Sequence, residues 1–429
     1  MIKNVVLLSS LVLIASLFPC RSLAADTFGK EASFLKKHVK TIILSEGKNG
    51  PAVLVVPAYQ GRVMTSSVDG DNGLSYGFVN DKFIATGKLV PHMNAFGGED
   101  RFWIGPEGGQ FALFFPPRAP FDMQHWQTPA PYDSQPFSVV SANSRQATFR
   151  KEFKLKNYHG TVFSVRVDRQ VRLLSPSQVW SDLHVSPKHG VKLVGYETIN
   201  KLTNIGNKKW NKSTGLLSIW ILGQFNASPT STVVVPYKQG PVSKLGKIAT
   251  TDYFGKIPAN RIQMKNGDIF FRADANYRSK IGVNPRRAKG VLGSYSAGTH
   301  TLTIIQLNLP KGVTSYVNSL WKIQKHPFGG DVENSYNDGP NQLGTRMGNF
   351  YEVESSSPAL ALAPGQTAMH MHRTIHLTGN VKELDSIAVA VLGVHLKQIE
   401  TALPPLKWLR SRTDRIRNAY SGVPYVLKK

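Results

Sequence analysis

The chain has 429 residues, with 52 Lys+Arg against 27 Asp+Glu, a formal net charge of +25 and a pI near 10.0. At 41% apolar and 10% aromatic it is too hydrophobic for a disordered chain, and 37 Gly with 26 Pro break it too often for a helical bundle. One cysteine excludes intrachain disulfides and Cys-based zinc sites, so the charge points to nucleic acid, an anionic surface or an acidic substrate.

The first residues narrow that choice. Lys3 is followed by an apolar run over 5–18, and Ser22-Leu23-Ala24 supplies small residues for cleavage, the layout of a secretory signal peptide over 1–24. Pro19 before Cys20 makes a poor lipobox, which favours plain secretion over a lipid anchor. Losing Lys3 and Arg21 takes the net charge from +25 to +23 in a periplasmic or secreted protein. Such a protein does not ordinarily meet a genome, so no nucleic-acid partner is expected. No later segment reaches the ~18 apolar residues of a membrane helix.

Beyond the leader the chain reads as β. Segments 52–56 (AVLVV), 139–141, 161–173 (TVFSVRVDRQVRL), 216–221, 232–235, 268–271 and 299–309 (THTLTIIQLNL) are rich in β-branched and aromatic residues, with Gly, Pro, Asn and Asp between them. Much of 162–172 alternates apolar and polar residues, as in a strand with one buried face. Helices are expected only near the ends, at about 32–40 and 381–400, the second opened by Asn380 with Glu383 and interrupted by Gly393. No repeat or linker divides the chain, so 25–400 is read as one all-β sandwich domain with short terminal helices. Residues 401–429 form a basic C-terminal extension with seven Lys or Arg and the single acid Asp414.

Four places concentrate chemistry. In 91–137, ten of 47 residues are aromatic, mixed with His92, Glu99, Asp100, Arg101, Trp103, Glu107, Asp122 and His125. Sugars are held by such mixtures, aromatic planes under C–H faces and charged groups on hydroxyls; core aromatics at a long crossing would read the same way. Gly97-Gly98 and Gly108-Gly109 suit a turn or a close backbone approach. The second place, 331–340 (DVENSYNDGP), is a turn sequence by composition, yet it gathers Glu333, Tyr336 and Asp338, so a solvated turn and a site loop both fit. In the third, Tyr351-Glu352-Val353-Glu354, alternation puts both glutamates on one strand face. Like charges there need a cation, hydrogen bonds or a raised pKa, one origin for a general base. The fourth is His370, His372 and His376, all of one parity; 370 and 376 would be about 20 Å apart, so hydrogen-bonding or groove-lining histidines are expected rather than a metal site. No cofactor motif is read.

The order of these pieces resembles the galactose mutarotase-like (aldose 1-epimerase-like) superfamily. The segment AVLVVPAYQGRVMTSS resembles its opening strands, NAFGGEDRFWIGPEGGQF its Asn/Gly/Arg block, and YEVESSSPALALAPGQTAMHMHRTIHL its closing glutamate strand, Pro-Gly turn and last strand. The resemblance implies a β-supersandwich with a sugar groove, Glu354 in the general-base position, and Arg101 binding substrate. The chain departs from the pattern in 196–225, the stretch similar to the superfamily's general-acid block, which contains no histidine. His92, His125 or Tyr336 are the candidates to replace it. The resulting expectation is an exported carbohydrate-binding or carbohydrate-active protein, epimerase-like or glycan-processing. Its site would have Glu354, Tyr336 and His125 as catalytic candidates, with Arg101, Trp103, Glu99, His92, Asp338 and His372 on the sugar. Two alternatives stay open: a non-catalytic module for anionic polysaccharide, and a lyase on uronate-containing glycan.

Overall fold

The computed structural model describes residues 26–340 and 344–405. The expected signal peptide, 1–24, and residues 406–429 of the expected basic extension lie outside the described residues.

Alternation of β-branched residues becomes an antiparallel assembly of three sheets. A three-stranded sheet of Ile42–Ser45, Ala52–Val56 and Arg62–Ser67 packs on the helix Phe28–His38, whose N-terminus is capped by Thr27. A ten-stranded sheet spans the molecule. Its central strands are Thr367–Thr378, Lys192–Asn204 and Val162–Leu173, paired in register over most of their length. A five-stranded sheet lies against it, in the order Ser279–Val283, Glu333–Asn337, Phe350–Ser356, Ser218–Asn226, Arg101–Gly105. The helix Val381–Leu392, capped by Asn380 and ended by left-handed Gly393, covers the large sheet's outer face with Leu396–Thr401 and Pro176–Leu183. That last helix was not expected from the sequence; Ser175 caps it and Pro176 opens it.

The strands expected from pattern all form, with bounds moved by a few residues. One expectation is corrected. Half of the turn-like 331–340 is the buried strand Glu333–Asn337, whose backbone groups, taken out of water, are paired on both sides by Ser279–Val283 and Phe350–Ser356. The Gly97-Gly98 expectation holds: both have positive φ, and a Cβ on Gly98 would sit 2.5 Å from Arg62 Cδ.

The five-stranded sheet carries a polar layer on each of its faces, and the two differ in kind. Between the two larger sheets runs a seam. Arg169, fully buried, donates to Asp100, Asn200 and the Gly61 carbonyl. Glu99 accepts from the Ser66 amide and hydroxyl and from Tyr196, and meets His376 at 3.2 Å. On the far side of the five-stranded sheet lies the second layer, described next.

Candidate functional site

Antiparallel register decides which side chains share the outer face of the five-stranded sheet. Arg101 and Glu354 stand opposite Leu222 from its two sides, Trp103 opposes Trp220, and Glu352 lies between Gln224 and Tyr336. Asn334 faces Glu354, and Lys280 faces Tyr336. Parity along each strand therefore assembles Arg101, Trp103, Trp220, Gln224, Glu352, Glu354, Asn334, Tyr336 and Lys280 on one floor. None of these residues exceeds 7% exposure.

The two glutamates do have the cations that their proximity requires. Arg101 donates to Glu352 Oε1 at 2.8 Å while lying over the Trp103 ring at 4.1 Å, and Gln224 donates to the same oxygen at 2.8 Å. Lys280 donates to Glu354 Oε2 at 2.8 Å, and its ammonium lies 4.7 Å from the Trp220 ring centre. Trp220 Nε1 donates to the same Glu354 oxygen at 2.9 Å. Burial pushes the Glu352 carboxyl up to about 7, with Arg101 opposing and Glu354 adding to the rise. Loop residues close over the floor. Glu107, bonded by Trp126 Nε1 at 2.9 Å, is pushed up by desolvation, and its carboxyl feels Lys280, Glu354 and Arg278. Tyr253 donates to Asp331 at 2.6 Å beside Lys280.

This face also carries buried polar atoms without a partner, as do other buried places such as the Arg261–Asp274 pair. Glu354 Oε1, Arg101 Nε, Trp103 Nε1 and Gln224 Oε1 are buried and have no partner. A buried donor or acceptor left unpaired costs on the order of 1–3 kcal/mol, and four of them cluster on this face. The aromatic planes of Trp103 and Trp220, 5.3 Å apart, stand among them. A separate surface cleft lined by Leu113, Pro116, Pro117, Gln127, Pro131 and Lys154 contains no carboxylate.

Of the residues expected from sequence, Arg101, Trp103, Tyr336 and Glu354 come together on the floor. Asp338 joins them through Tyr336, whose hydroxyl donates to it at 2.8 Å; burial pushes the Asp338 carboxyl up. His92 sits on the rim, exposed, in left-handed conformation, its Nδ1 against the Trp126 carbonyl. Three expectations are corrected by placement. Glu99 turns into the seam, because it precedes Arg101 by two residues at a break where the strand has not yet begun. His372 lies behind the sheet: its Nδ1 meets Ser355 at 2.8 Å, and Ser355 has the parity opposite to Glu354. Burial pulls His372 down to about 4 and His370 down to about 3, so both are neutral imidazoles. His125 bonds Asp122 at 2.7 Å on a surface turn. Most aromatics of 91–137 are core: Phe102, Phe114, Phe115, Tyr132 and Phe137 are all buried in the largest apolar cluster.

Sequence reasoning missed Lys280, Trp220 and Gln224. The last two carry a readable signal, since Trp220, Leu222 and Gln224 share one parity in SIWILGQF. They come from the stretch in which a histidine was sought. Lys280 carries none, being one basic residue among 52.

Several solved structures are similar to the chain. A galactose mutarotase-like protein from Lactobacillus casei is 11% identical, with 79% of this chain and 100% of that chain covered at a TM-score of 0.42. A galactose mutarotase related enzyme from Lactobacillus acidophilus is 9% identical, covering 80% and 97% at 0.42. A protein from Synechocystis sp. PCC 6803 is 11% identical, covering 80% and 96% at 0.45. At such identities and scores the reading of the site rests on its own geometry. No curated protein matches the sequence. A family model does, over residues 26–403, and the chain therefore belongs to DUF6786, a family of unknown function.

Proposed function

We propose that the outer face of the five-stranded sheet binds a carbohydrate and that Glu354 takes a proton from a sugar hydroxyl there. The observation that carries this reading is the state of Glu354: fully buried, one oxygen held by Trp220 and Lys280, the other unpaired. A carboxylate so fixed has one acceptor to offer, and a hydroxyl is the group that can both satisfy it and give up a proton. Arg101 Nε, Trp103 Nε1 and Gln224 Oε1 supply two further donors and an acceptor for neighbouring hydroxyls, and the indole planes suit the C–H face of a pyranose.

The chemistry that fits is epimerase-like. Glu354 Oε1 removes the proton of the anomeric hydroxyl, the ring C–O bond breaks, and the ring oxygen takes a proton from Lys280, the cation already bonded to the other Glu354 oxygen. Reclosure on either face runs the transfers backwards. In this role Lys280 occupies the place for which the sequence offers no histidine. Arg101, stacked on Trp103 and tied to Glu352, orients the sugar. In this reading the protein acts outside the cytoplasm, as the leader-like residues 1–24 lead one to expect.

The test is a glycan-binding screen at two salt concentrations, followed by polarimetry or NMR of the bound sugar's anomers with wild type and Glu354→Gln. The expected result is saccharide binding, with anomer exchange slowed at least 100-fold in the variant. A protein that binds no saccharide overturns the reading. Binding with no turnover in the wild type overturns the catalytic part and leaves a binding module; an unsaturated product from a uronate polymer would instead identify a lyase.

A further inference from the structure

The edge strand Ser279–Val283 carries a second cation toward the same face. Arg278 stands just before that strand, and its bond to Tyr336 on the floor puts its guanidinium on the same side as Lys280. Its guanidinium is stacked on the Phe254 ring at 3.8 Å, the shortest such distance among the described residues. Its Nε donates to Tyr336 Oη at 3.3 Å, and Tyr336 is fixed in turn by donating to buried Asp338, whose other oxygen accepts from the Gly348 amide. The Arg278 charge is felt by Glu107 on the covering loop, which also feels Lys280 and Glu354, so the four groups border one space.

The arrangement leaves the working end of the side chain unused. Ring stacking and the Nε bond hold the guanidinium plane, while its two terminal nitrogens have no hydrogen-bond partner among the described residues. Arg278 itself is half-buried. Lys280, by contrast, is engaged by Glu354, and Arg101 by Glu352. A planar fork held at its stem with both tips open matches a carboxylate, whose two oxygens accept in parallel. The neighbouring acid chooses between anions. Asp338 already borders this corner through Tyr336, so a monoanion is accommodated at less electrostatic cost than a phosphate dianion.

We propose that Arg278 receives the carboxylate of an acidic sugar, a uronate residue, and makes the site selective for it over the neutral sugar. This rests on the carbohydrate reading above. The net charge of the chain agrees with it, since a basic exterior attracts a polyuronate before docking.

The experiment measures affinities by calorimetry for glucuronate and galacturonate, as monomers and trimers. They are compared with the corresponding neutral sugars and with glucose 6-phosphate, for wild type, Arg278→Gln and Arg278→Lys. The readout is the ratio of acidic to neutral affinity. In wild type it should be 10-fold or more, the order expected of a charge-assisted bidentate pair. It should fall toward 1 in Arg278→Gln and lie between in Arg278→Lys, which keeps the charge without the fork. Circular dichroism and a thermal melt on each variant separate loss of the fork from loss of the fold. A ratio near 1 in wild type, a ratio unchanged in Arg278→Gln, or a preference for the phosphate overturns the proposal while leaving the carbohydrate reading standing. If neither class of saccharide binds the wild type, both fall.

Discussion

The five-stranded sheet buries charge on both of its faces, and the two faces treat it differently. On the inner face Arg169 spends every nitrogen on Gly61, Asn200 and Asp100, and Glu99 meets Ser66, Tyr196 and His376. The polar atoms left over on the inner side include His370 Nδ1, His372 Nε2 and Thr374 Oγ1, and also Glu333 Oε2 and Arg62 Nε. On the outer face the ion pairs Arg101–Glu352 and Lys280–Glu354 are equally buried, and each retains an unpaired atom on a charged group. Burial by itself does not identify a functional charge. What distinguishes the outer face is that its leftover atoms lie together, beside two indole rings and a pair of glutamates on one sheet surface.

The comparison can be broken most forcefully in the seam. Arg169→Met strands Asp100 without its counter-charge and should cost about 3–5 kcal/mol, read as a drop in urea midpoint. If it costs no more than a site variant, the distinction between the faces fails. Glu354→Gln should add a turnover loss of roughly 10²–10⁴-fold to its own drop in midpoint, since the amide still accepts from Trp220 but leaves buried Lys280 without its counter-charge.

Acidification separates the faces by sign. His370 and His372 have folded-state values near 3 and 4, below the unfolded value near 6.5, so the unfolded chain binds their protons first. Their contribution is present above pH 6.5 and is lost as pH falls toward 4. Between pH 7 and pH 5 that loss is about 2 kcal/mol per histidine, and His370→Gln with His372→Gln should remove most of it. Glu352 works oppositely: its raised carboxyl makes the folded state the better proton acceptor, so lowering pH from 8 to 5 through its value near 7 favours folding. Denaturation curves on the Glu352→Gln variant should lack that gain; a histidine double variant with wild-type pH dependence would contradict the seam assignment.

The smallest effect is the sharpest test. Trp103→Phe removes an indole N–H that bonds nothing in the free protein and part of a ring packed among Phe114, Trp126 and Trp220, so stability should fall by about 1–2 kcal/mol while saccharide affinity falls about 10-fold. A large loss of stability would mean that the indole serves packing alone.

Much of this fold could be read in advance because alternation and turn residues are local. The 52–56, 162–173 and 268–272 strands formed nearly as their patterns required, and the parity of Glu352 and Glu354 put them on one face. Locality also explains the errors. The composition of 331–340 is that of a turn, and only pairing on both sides made it a strand. Glu99 and Arg101 are two residues apart, yet they serve opposite faces, because the strand begins at Arg101. His372 has the right chemistry for a sugar site but belongs to the large sheet, with the five-stranded sheet between it and Glu354.

The sequence by itself determined the class of fold, the paired glutamates and the basic excess, since each depends on residue type and on spacing within a single strand. Tertiary structure decided which cations those glutamates meet. Lys280 reaches Glu354 from 74 positions away and Arg101 reaches Glu352 from 251. Such partners are chosen by strand order and register, and those follow from how the whole chain buries its apolar faces rather than from any short pattern.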